Sequence, residues 1–145
     1  MPGWVGRGAA LLAAGWILAG CGSMAAPDGP IPEGLAGSAW RAKTLAGQPV
    51  DDATAVTLEF VGSDRIAGKA ACNRYNGPLR VADGRLQIGP LAATRMACPP
   101  PLMEAEAAFL AALEGAQRFT LENSALLLDG PAGSPPTRFL PFTPP

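Results

Sequence analysis

The chain has 145 residues, with 11 lysines and arginines against 12 aspartates and glutamates, a formal net charge of -1, and no histidine. Lacking histidine, it lacks the commonest general base and the commonest zinc ligand, which excludes serine-histidine and cysteine-histidine catalysis; the near-balanced charge suggests neither nucleic acid nor an acidic surface as a partner. Its 18 glycines and 16 prolines interrupt the chain too often for long helices and favour a turn-rich β architecture in a single domain.

Residues 9–19, after Arg7, are apolar and free of charge. The run is well short of the ~20 residues needed to cross a bilayer, and its basic front end makes it read as the core of a signal peptide. Leu18-Ala19-Gly20-Cys21 resembles a lipobox, in which small residues admit the signal peptidase and the thiol receives diacylglycerol. The expected organisation is a lipoprotein signal peptide over 1–20, then a tether over 21–34 that starts at the acylated Cys21 and contains Pro27, Pro30 and Pro32, then a folded domain over 35–143. An uncleaved anchor helix, or a secreted protein with a stray cysteine, are the alternatives, and either would also export the domain. Gly22 stands where an aspartate would favour inner-membrane retention in enteric-type sorting, so the expected location is the periplasmic face of the outer membrane. With Cys21 lipidated, Cys72 and Cys98 remain as an even pair in an oxidising compartment. A disulfide is the expected state, and two free buried thiols are the alternative.

Within the domain, 38–45 and 55–61 read as strands, the second with Val56, Leu58 and Phe60 on a dry face and Thr57 and Glu59 on a wet one. Gly62-Ser63-Asp64 turns the chain into 65–74, where Ile66, Gly68, Ala70 and Cys72 share a face of mostly small side chains that invites a bulky neighbour. Asp83-Gly84 predicts a hairpin pairing Val81 with Leu86 and Leu79 with Ile88; the same count around Asn123-Ser124 pairs Leu121 with Leu126 and Phe119 with Leu128. A last strand over 137–140 runs into Pro141, Pro144 and Pro145, which suit an edge or a terminus. One helix is expected over 101–114, entered through prolines and stopped at Gly115, with Leu102, Phe109, Leu110 and Leu113 as its buried stripe. Glu106 falls inside that stripe. It sits either at the rim, steadied by the helix N-terminus, or in a buried ion pair with Arg74 or Arg95.

The segments 35–40, 57–60, 66–68 with 72–77, and 91–98, together with Glu106 and Phe109, resemble the META domain family, which includes the heat-shock protein HslJ. The resemblance implies an α+β fold: a mainly antiparallel, strongly curved or barrel-like β-sheet with one helix packed across it. It also implies export or lipid anchoring, a link to stress, and no defined biochemical activity. By position, the family's cysteine pair falls on Cys72 and Cys98 and its asparagine-glycine turn on Asn76 and Gly77. Asn73 is expected to bond the backbone of the loop over 94–96. The competing reading makes Asn73, Arg74, Tyr75, Thr94 and Arg95 an exposed recognition patch.

The leading functional expectation is a non-catalytic cell-envelope lipoprotein, held on the membrane through its lipid and offering a surface to another envelope protein, with no cofactor, metal or nucleic acid. The alternative is a pilotin-like module holding a lipid tail or hydrophobic peptide in a groove left by Gly68, Ala70 and Ala71, unless Trp40 and Phe109 fill it. An enzyme using Asp51, Asp52 and Glu106 as acid and base is the weakest reading. Asp51-Asp52 beside Pro49 is turn chemistry, and these acids form no ligand-spaced cluster.

Overall fold

The computed structural model describes Met1, Gly3, Ile31, residues 34–82 and residues 85–145; the expected signal peptide, Cys21, nearly all of the tether and the Asp83-Gly84 turn lie outside the described residues. Ten strands and one helix follow in order. They are β1 (Ala39–Leu45), β2 (Gln48–Pro49), β3 (Thr57–Val61), β4 (Arg65–Ala70), β5 (Asn73–Ala82), β6 (Arg85–Ile88), β7 (Ala92–Ala93), α1 (Pro100–Glu114), β8 (Arg118–Glu122), β9 (Ala125–Asp129) and β10 (Thr137–Pro141). The main path of the sheet runs β6-β5-β4-β3-β1-β10-β9-β8, with β2 added to β1 and β7 to β5, and its pairings are antiparallel. Its two ends meet where the Leu86 N–H donates to the Gln117 carbonyl at 2.9 Å, so the sheet is a nearly closed barrel. This is the expected fold class.

Both hairpin registers follow the sequence pattern: Val81 opposes Leu86 and Leu79 opposes Ile88, while Leu121 opposes Leu126 and Phe119 opposes Leu128. Asn123 and Ser124 take the two positive φ angles of a type I′ turn.

Three local expectations are corrected. The chain does not run through 65–74 and turn at Asn76-Gly77; it reverses at Ala71-Cys72, with Ala71 at φ 68° and the Cys72 N–H donating to the Ala70 carbonyl at 2.9 Å. Asn76 and Gly77 lie inside β5, where Gly77 packs closely under the Pro90-Leu91 segment: a Cβ there would come within 2.6 Å of Leu91 Cδ2 and 3.2 Å of the Pro90 carbonyl oxygen. Of the two expected places for its prolines, β10 is not an edge, since it lies between β1 and β9, and its proline falls at the strand terminus. Thr57 shares the outer face with Glu59 as expected, but it is buried there rather than wet, with its Oγ1 accepting from the Lys69 N–H at 3.0 Å and its carbonyl from the Tyr75 hydroxyl at 2.9 Å.

Across the inner surface of the sheet lies α1, with Phe109 and Leu113 fully buried. The Phe109 ring stands edge-on to Tyr75 at 5.6 Å and to Phe139 at 6.2 Å. These aromatic rings complete a core with Leu58, Ile66, Ala70 and Leu126, so the small face of β4 is where the helix docks. No groove is left there. Gly68 is small for its own neighbour, since a Cβ would collide with the Thr57 carbonyl. No helix among the described residues is long and apolar enough to cross a membrane.

Candidate functional site

The chemistry-bearing residues fall into two places, on opposite surfaces of β5. On the inner side, Cys72 and Cys98 are joined by a disulfide with their Cα atoms 6.1 Å apart, tying the β4–β5 turn to the segment that leads into α1. Next to it, Asn73 engages both polar atoms of its side chain and its backbone N–H. Its Oδ1 accepts from the Met96 N–H at 2.7 Å and the Thr94 hydroxyl at 2.8 Å, and its Nδ2 donates to the Met96 carbonyl at 3.2 Å. The same Nδ2 donates to Glu106 Oε1 at 2.9 Å, while the Asn73 backbone N–H donates to Glu106 Oε2 at 2.7 Å.

Glu106 is 7% exposed, neither at the rim nor paired with Arg74 or Arg95. Its stripe position is explained by chemistry: two donors on Asn73 face it, and a carboxyl group offers each of them an acceptor oxygen. Sequence reasoning flagged Glu106 but missed this partner, 33 residues away. Its oxygens are engaged inside the protein, which leaves them badly placed to exchange protons with a bound substrate.

The five-residue recognition patch does not survive as one exposed surface. Asn73 is 1% exposed and Tyr75 2%, because strand alternation turns both inward. Burial, and secondarily the charge of Glu59, push the Tyr75 hydroxyl well above its ordinary pKa. Thr94 is exposed and accepts from the Arg74 N–H at 3.1 Å, and Arg95 is exposed beside it. Arg74 is exposed on the other surface of the sheet. The acids of the enzyme reading are occupied too: Asp51 Oδ1 caps the Ala53 N–H at 2.9 Å, and Asp52 pairs with Lys43, which holds its carboxyl below the usual range. Among the described residues no cluster of potential metal ligands occurs.

On that outer surface the register sets Arg41 opposite Thr57 and Lys69 opposite Arg74, and the Lys69 N–H is bonded to Thr57, so the four residues form one row across β1, β3, β4 and β5. With Glu59 and Phe142 they line a cleft of about 360 Å³, which Pro144 and Pro145 also border. The Arg41 guanidinium stands 4.2 Å above the centre of the Phe142 ring, and its buried Nε has no hydrogen-bond partner. Lys43–Asp52 is the ion pair found among the described residues; Arg41, Glu59, Lys69 and Arg74 share a cleft without pairing. The signal in the sequence was parity: Arg65, Ala67 and Lys69 in one strand, then Arg74, Asn76 and Arg80 in the next, each set two residues apart or a multiple of two.

Comparison with known proteins agrees with this architecture. A protein from Burkholderia xenovorans solved by NMR is 29% identical, with a TM-score of 0.62, over 76% of this chain and 85% of that one. A second NMR structure is also 29% identical, with a TM-score of 0.61, over 76% of this chain and 93% of its own. A search of curated proteins found no match. The family model described as META domain matches residues 33–141. That span takes in every strand named above, the helix, the disulfide and the outer cleft except for Phe142, Pro144 and Pro145, and the chain belongs to the META domain family.

Proposed function

We propose that this chain is a non-catalytic cell-envelope lipoprotein, held by Cys21 at the periplasmic face of the outer membrane, whose META domain is a stress-related protein-interaction module. The observation that carries the reading is the Cys72–Cys98 disulfide in a chain that opens with a lipobox-like segment, because disulfides persist in oxidising compartments. The engagement of Glu106 and Asn73 in the scaffold supports a role without catalysis. Labelling of cells with palmitate should mark the protein, and Cys21→Ala should abolish the label and release the domain from the membrane fraction. Thiol reagents should reach Cys72 and Cys98 only after reduction. No palmitate, together with both thiols freely alkylated in the native protein, overturns the reading.

A second reading, a holder of an apolar tail, draws on the cleft of about 350 Å³ between α1 and the segment joining β9 to β10, lined by Ala108, Ala111, Leu128, Pro131 and Pro135. Native mass spectrometry separates the two: a bound lipid or peptide supports the second, and an empty domain crosslinked to an envelope protein supports the first.

A further inference from the structure

The formal net charge of -1 conceals a segregated field. Among the strands β1, β3, β4 and β5 the only carboxylate is Glu59, whereas Arg41, Lys43, Arg65, Lys69, Arg74 and Arg80 all belong to them. The helix packed on the inner surface has the opposite balance, with Glu104, Glu106 and Glu114 and no cation. A sheet face with this bias is oriented by a negatively charged plane, helix outward.

The face is broad rather than pointed. Its row from Arg41 to Arg74 crosses three interstrand spacings, about 14 Å, which is wider than a single small anion can bridge. Exposed apolar groups are interleaved with the charge: Val61 is 50% exposed on β3, and Phe142, Pro144 and Pro145 border the cleft. The tether meets the Val61 end of these strands, the end away from the row of Thr57, Lys69 and Arg74. The Ile31 N–H donates to the Ser63 carbonyl at 3.3 Å, in the β3–β4 turn between Val61 and Arg65.

We infer that the outer face of β1, β3, β4 and β5 docks on the surface of an anionic phospholipid bilayer, with Arg41, Lys69 and Arg74 against headgroup phosphates. The inference goes beyond the anchored reading and uses it only for proximity: a 14-residue tether over 21–34 spans at most about 50 Å, which keeps the face within reach of the surface. Each cation near such a surface strengthens attachment by about fivefold, and salt weakens it.

The test uses the full-length protein, purified and incubated with vesicles of phosphatidylcholine alone or with about one third phosphatidylglycerol. Lys69 is one of the chain's two lysines and the one not tied to an acid, as Lys43 is to Asp52, so its acetylation on anionic relative to neutral vesicles, read by mass spectrometry, reports docking. Lys69 should be protected on anionic vesicles, exposed on neutral ones, and released by high salt. Arg74→Gln should weaken protection by about fivefold, and Glu59→Gln should strengthen it by about fivefold, a gain that an unfolded variant cannot give. Equal Lys69 reactivity on both vesicle types overturns the inference, as does equal protection by inorganic phosphate without vesicles, which would indicate a small-anion site. Retention on neutral vesicles reports the anchor separately: if it fails while anionic vesicles still bind and protect Lys69, the anchored reading falls and the docking face stands.

Discussion

Asn73→Ala should be among the most damaging single changes in the domain. It deletes the donor to Glu106 Oε1, the bond to the Met96 carbonyl, and the acceptor for the Met96 N–H and the Thr94 hydroxyl, leaving Glu106 with the Asn73 backbone donor alone. One bond to a carboxylate contributes about 1.5–3 kcal/mol and each of the three neutral ones about 1 kcal/mol, so the loss is roughly 4.5–6 kcal/mol against a total stability of about 5–15 kcal/mol. Glu106→Gln should cost less, about 2–3 kcal/mol: the amide keeps one acceptor oxygen but sets an NH₂ group against the second Asn73 donor. Urea unfolding followed by circular dichroism, with the disulfide intact, measures both as shifts in midpoint at constant slope. A loss below about 1.5 kcal/mol for Asn73→Ala would refute the argument that this cluster fastens the pre-helix segment to β5.

Two further outcomes follow from the same geometry. Replacing both Cys72 and Cys98 by alanine reopens a loop with a sequence separation of 26, and the chain-entropy relation then gives a loss of about 3.5 kcal/mol, measurable as a lower urea midpoint. Tyr75 is the only tyrosine, so ultraviolet difference spectroscopy reads its phenolate directly. Its pKa is raised in the folded state, so the unfolded chain gives up this proton first; stability should be intact below an unfolded pKa of about 10 and fall by up to about 1.4 kcal/mol per pH unit above it, and phenolate absorbance at pH 10 in the native protein would contradict this.

What could be read from the sequence was whatever depends on near neighbours. The registers around 83–84 and 123–124 follow from counting outward with side-chain parity, and α1 follows from its prolines, its apolar spacing and Gly115. What could not be read depends on groups distant in sequence. Asn76-Gly77 has the composition of a turn, yet β4 and β7 pair with β5 on either side of it and hold it extended, while Ala71 accepts the left-handed turn geometry. The partner of Glu106 and the packing of Gly68 against Thr57 are both tertiary. So is the charged row, since it needs the alignment of four strands as well as parity within each.

The position of β10 between β1 and β9 bears on how the molecule comes into being. A ribosome delivers this ribbon after every segment it joins, so a nascent chain holds two incomplete half-sheets, each with a bare rim of unsatisfied amides and carbonyls, until the closing piece arrives. Such a polypeptide stays unfinished, and therefore threadable through a narrow conduit, throughout synthesis; a stop codon placed ahead of Thr137 would strand it permanently in that aggregation-prone condition.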